Sequence, residues 1–100
     1  MDIQLKDTPS SKEIVINGNI KSVRDTDEIK ASIEKSWDPH DVKPINIRID
    51  NSFIITSSVI GFLIKFIKKD KMPISLYVKN IELYEMLDDM NLIDALNVRR

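Results

Sequence analysis

Cysteine is absent from this chain, and that one absence excludes disulfides, thiolate nucleophiles and zinc–thiolate sites together. Histidine occurs once, as His40, in a polar loop beside Pro39, where it reads as a solvent-exposed structural residue rather than a catalytic one. Glycine occurs twice, so there is no Gly-rich phosphate loop, and neither HExxH nor a plausible Ser-His-Asp set is present. No apolar run approaches the roughly 20 residues needed to span a bilayer. The opening Met1-Asp2-Ile3-Gln4-Leu5-Lys6 lacks the charge-then-apolar order of a signal peptide, so a cytoplasmic location is expected. Excess charge is lacking too: 15 Lys and Arg against 16 Asp and Glu leave a net charge of −1, with no electrostatic footprint for nucleic acid. Asp88 and Asp89 are adjacent and would point apart on a helix, which argues against a metal pair. Trp37 ends an apolar stripe and reads as core. No enzyme, cofactor or metal site is expected.

What is present is an ordinary globular composition, 42% hydrophobic and 31% charged over 100 residues, enough for one domain with one core. Ile3 and Leu5 alternate with polar neighbours as a short first strand, and Asp7–Ser11, with Pro9 inside it, reads as a turn. Glu13–Asn17 is a second strand. Asn17-Gly18 has the chemistry of a hairpin, because both residues tolerate positive φ, and Asn19–Val23 would return as a third strand. Asp25 and Glu28 have capping-box spacing, and Ile29, Ile33 and Trp37 recur every four residues on one face of a helix. Pro39 biases Asp38 away from helix and ends that element.

From Pro44 to Asp50 the alternation is strict, Ile45, Ile47 and Ile49 against Asn46, Arg48 and Asp50. Ile74, Leu76 and Val78 alternate in the same way with Ser75, Tyr77 and Lys79. Strands covered on both faces read as continuous apolar runs. These have one apolar and one polar face, which predicts an α/β fold with a mixed sheet and helices packed on one side.

Between those strands, the hydroxyl-rich turn Thr56-Ser57-Ser58 opens an apolar helix running to about Lys69. Its apolar residues, among them Val59, Phe62, Leu63 and Phe66, span roughly 200° of the surface, whereas a core-facing stripe needs little more than 100°. Either neighbouring helices cover the flanks, or one edge, at Phe62, docks a partner. A serine at the helix start is either a cap or, where a kinase reaches it, a site whose phosphate the free N–H groups and the macrodipole would favour. Asn80 is positioned to cap a further helix with Leu83, Met86 and Leu87 facing inward.

Together these segments resemble a STAS domain (the sulfate transporter and anti-sigma factor antagonist family). Ile14-Val15-Ile16-Asn17-Gly18-Asn19-Ile20 is similar to the family's opening hairpin, and Ile45–Asp50 to its central strand. Ile54-Ile55-Thr56-Ser57-Ser58-Val59-Ile60-Gly61 stands where the family usually reads aliphatic-Ile-Asp-Ser-Ser-Gly-Leu-Gly. Ile74–Val78 matches the last strand and Leu83–Leu96 the closing helices, with Asn91 as a left-handed cap in place of the usual Gly. The resemblance runs from Glu13 onward and departs from the family at Thr56, for Asp, and at Val59, for Gly.

The resemblance implies a stand-alone bacterial signalling regulator similar to anti-sigma factor antagonists. Its partner would be an anti-sigma factor or related serine kinase. Ser57 would be the phosphorylated residue, with Thr56 and Ser58 as rival acceptors, and Thr56, Ser57, Ser58, Val59 and Phe62 would contact the partner. Phosphorylation would block binding by placing roughly −1.5 to −2 charges on the docking surface. The two departures favour a different reading, a constitutive accessory subunit of a membrane transporter or signalling assembly that is never phosphorylated. A homodimer is also compatible with the sequence.

Overall fold

A computed structural model of the chain describes residues 1–41 and 43–100. β1 (Asp2–Asp7) and β2 (Lys12–Asn17) pair antiparallel. Their turn is closed by Thr8, whose N–H donates to the Ser11 carbonyl at 2.9 Å, while Ser11 N–H donates to Thr8 Oγ1 at 2.9 Å. β3 (Ile45–Asp50), β4 (Ile74–Val78) and β5 (Val98–Arg99) add in parallel, giving a five-stranded mixed sheet in the order β1-β2-β3-β4-β5. Each parallel connection carries a helix: α1 (Val23–Ser36), α2 (Ser57–Lys68) and α3 (Ile81–Asp89).

Right-handed crossovers that step the same way along a sheet put all their helices on one face. Burial agrees. Ile14, Ile16, Ile45, Ile47, Ile49, Ile74, Leu76 and Val78 are buried, whereas their alternates Val15, Asn46, Ser75 and Tyr77 are half-buried and Arg48 is exposed. Ile29 and Ile33 of α1, Val59, Leu63 and Phe66 of α2, and Leu83 and Leu87 of α3 close the core, with Trp37 packed partly buried against it. The α/β fold is therefore the one-sided sheet that the alternation predicts, and it is consistent with a STAS-like arrangement. Among the described residues, no helix is long and apolar enough to cross a membrane.

In its secondary structure the chain departs from the expected elements in four places. Asn17-Gly18 is not a hairpin. Gly18 does take positive φ (100°), but it turns the chain out of β2 toward α1, its N–H donating to the Asp50 carbonyl at 3.0 Å. Residues 19–22 form no strand; Ile20 is buried as an anchor while the backbone connects to α1. The cap of α1 is Ser22, not Asp25: Ser22 Oγ accepts from Asp25 N–H at 3.1 Å, and Asp25 Oδ2 accepts from Lys21 N–H at 3.2 Å. The pattern is close to a capping box set three residues earlier than expected, with Asp25 reaching the N–H just before the cap rather than that of Ser22. Finally, the segment expected as closing helices, Leu83–Leu96, continues past α3 as hydrogen-bonded turns. Asn91 and Asn97 take positive φ (58° and 50°), and the second leads directly into β5.

Candidate functional site

The carboxyl ends of β2 and β3 lie side by side, and the loops leaving them are tied together by asparagines. Asn51, at φ 53°, donates from Nδ2 to Asn17 Oδ1 at 3.0 Å, and Asn19 Oδ1 accepts from Phe53 N–H at 3.1 Å. Ser52 is buried and donates from Oγ to the Ile54 carbonyl at 2.9 Å. The loop of residues 51–56 is thereby held in one shape, with Ile55 alone of its apolar residues turned into the core.

That shape delivers Thr56 to the start of α2 in an extended conformation (φ −81°, ψ 153°), where Thr56 Oγ1 accepts from Val59 N–H at 3.4 Å. Thr56 Oγ1 also lies 3.1 Å from Thr26 Oγ1, and Thr26 donates its own proton to the Ser22 carbonyl at 3.1 Å. A hydroxyl has one proton to give. The direction is therefore fixed: Val59 N–H donates to Thr56, Thr56 to Thr26, and Thr26 to the residue that caps α1. One relay couples the N-termini of both helices.

Ser57 was expected as the cap or the switch of α2. The cap is Thr56, because the loop brings its side-chain oxygen, rather than the equally suitable one of Ser57, to the cap position. Ser57 and Ser58 follow as the first two helical residues, both exposed, and neither hydroxyl has a hydrogen-bond partner among the described residues. Ser58 lines a cleft of about 230 Å³ with Lys21, Ser22, Val23, Thr26, Asp27 and Thr56. Val59, expected on the docking surface, is 1% exposed and sits in the core, so it offers no contact area. Phe62 is half-buried against the core, its ring 5.7 Å from that of Phe66 and tilted by 47°. The wide apolar arc of α2 is thus covered on much of its flank.

Three apolar side chains at this end escaped the sequence reading. Val23, the first residue of α1, is 78% exposed; Phe53 and Ile54, just before the hydroxyl turn, are 52% and 40% exposed. The available signal was the run Phe53-Ile54-Ile55 in a loop where one apolar anchor suffices. In the first turn of α1, the Asp25 carboxyl is held below its ordinary value of 3.8 chiefly by the Lys21 N–H, with the Ser22 backbone and hydroxyl adding to it.

Elsewhere, His40 is exposed and its N–H donates to Asp38 Oδ1 at 2.9 Å. Asp88 and Asp89 are both exposed near the end of α3. Among the described residues, no group of three or more His, Asp or Glu side chains is placed to hold a metal ion. No protein-family model matches the sequence, and no curated protein matches it significantly.

Proposed function

We propose that this chain is a non-enzymatic signalling regulator of the kind its resemblance to anti-sigma factor antagonists implies, docking a protein partner at the turn that opens α2. One observation carries the reading. Two exposed serine hydroxyls without partners among the described residues open α2, Ser58 lines a cleft with the exposed Val23, and the exposed Phe53 and Ile54 lead into the same turn. The apolar groups supply docking energy when covered. The first turn of α2 supplies unpaired N–H groups that accommodate a phosphate on Ser57 without unfolding the helix. That phosphate sets charge against an apolar contact and dismisses the partner. Ser57 is the favoured acceptor over Thr56, whose hydroxyl is half-buried and committed to the relay. The partner would be an anti-sigma factor or a related serine kinase, met in the cytoplasm.

A second reading has its own support. Thr56 and Val59 replace the residues the family usually carries, and both stabilise the turn through capping and burial, whatever the state of Ser57. A constitutive accessory subunit of a transporter or signalling assembly would use the same apolar patch without a switch.

Capture from the native cell with wild-type chain, Ser57→Asp, and the Phe53→Ala/Ile54→Ala double variant separates the two. The regulator reading expects an anti-sigma factor or serine kinase on the wild type, lost with both variants. It also expects phosphate on Ser57 in some growth condition. Equal capture by Ser57→Asp, with no phosphate on the native protein, would overturn the switch and leave the constitutive subunit.

A further inference from the structure

We infer that β1 is a self-recognition edge, through which two copies of this chain pair antiparallel about Gln4 to join their sheets into one. β1 is six residues long, pairs on one side with β2 alone, and lies at the edge of the sheet. Among the described residues no strand pairs with its outer backbone groups, and such an edge is the usual template for adding another strand. The register with β2 places Ile3 and Leu5 opposite Ile16 and Ile14, on the helix-covered face, and puts Asp2, Gln4 and Lys6 on the open face.

The order of those side chains selects a second copy as the occupant. Residues that oppose one another across an antiparallel pair share a face, so the paired residue numbers must sum to an even number. A sum of eight sets Asp2 opposite Lys6, Ile3 opposite Leu5, and Gln4 opposite itself on the two-fold axis. Every position from 2 to 6 then meets a complementary partner, and each charge pair occurs twice by symmetry. A sum of ten sets Ile3 opposite Asp7, a sum of six sets Asp2 opposite Gln4, and parallel pairing in register sets like charges together. The sum of eight leaves Asp7 opposite Met1, but it is the one register that pairs both Asp2 with Lys6 and Ile3 with Leu5. It also accounts for Leu5, which is 44% exposed beside a cleft of about 200 Å³ that includes Lys35 and Ser36 of α1, and which the second copy's Ile3 would cover. Because paired faces match, both helical layers lie on the same side of the joined sheet. This contact is separate from the α2 turn and does not depend on the function proposed for it.

The test is sedimentation equilibrium of the full chain from micromolar to millimolar concentration, with circular dichroism as the check on folding. Wild type should self-associate to a dimer. Lys6→Asp and Asp2→Lys should each weaken it by about tenfold or more while remaining folded, and the Asp2→Lys/Lys6→Asp exchange should restore it. The absence of cysteine gives a second readout. Under oxidation Gln4→Cys should cross-link two copies, because opposed Cα atoms lie about 4.5–5.5 Å apart, within disulfide reach. Lys6→Cys should not, since its two copies would stand about four residues out of step. A wild-type monomer at millimolar concentration would overturn the inference. So would a Lys6→Asp dimer as tight as wild type, an exchange that fails to restore pairing, or Lys6→Cys cross-linking as readily as Gln4→Cys.

Discussion

Two neighbouring hydroxyls at the start of α2 stand in opposite surroundings, and the difference is measurable. Thr56 accepts from Val59 N–H, donates to Thr26 and is half-buried, whereas Ser57 is exposed. Thr56→Ala is expected to cost about 1–2 kcal/mol in a urea titration, because a cap and a relay are lost together. Ser57→Ala is expected to stay within about 0.5 kcal/mol of wild type. A larger loss at Ser57 than at Thr56 would return the cap to Ser57. Asp25 makes a prediction in pH. Its carboxylate is held below 3.8 by the Lys21 N–H first and by Ser22 next, so the unfolded chain binds that proton more tightly than the folded one. The stabilisation is present above 3.8 and is lost as pH falls through the folded value. Asp7, lowered by its hydrogen bond to Lys43, acts with the same sign. Thermal melts of Asp25→Asn should therefore lose less stability than wild type between neutral pH and the acid limb, and an unchanged acid slope would remove the Asp25 bond from the account.

At the scale of elements, the sheet is the strongest prediction. Ile47→Asp should unfold the domain, since it buries a charge with no partner under the helices, while Arg48→Asp, one residue on, should leave a cooperative melt nearly in place. Similar tolerance at both positions, read by circular dichroism, would contradict a sheet covered on one side. β3 and β4 were legible because a period of two with one apolar face has a single physical meaning. α2 was legible from its apolar density, and Asn80 from its chemistry, its Oδ1 accepting from Leu83 N–H at 3.0 Å. The failures share a cause. Asn17-Gly18 signals positive φ, and the same dihedral serves a strand exit as readily as a hairpin. β5 has two residues, too few to show a period, and exists because Asn97 offers its carbonyl to Leu76 N–H at 3.2 Å and its amide to the Ile74 carbonyl at 3.0 Å. In the candidate site, the three hydroxyls were legible as a helix start. Which of them caps was not, because Ser and Thr are equivalent until the loop geometry fixes their order. Nor were Phe53 and Ile54 legible as exposed, since an apolar side chain in a loop faces inward or outward according to tertiary contacts the sequence does not state.

Across the whole molecule the two proposals rest on different parts of the chain, self-pairing on the outer edge of β1 and partner docking on the turn that opens α2. The account rests most heavily on the α2 turn, where a hydroxyl poised beside exposed apolar groups is proposed to control docking. Calorimetric titration of the captured partner with wild-type chain, Ser57→Ala and Ser57→Asp tests this most directly. The account predicts that Ser57→Ala binds as tightly as wild type and that Ser57→Asp stays folded and binds at least about tenfold more weakly, near 1.4 kcal/mol. Equal affinity of all three for the partner would contradict it.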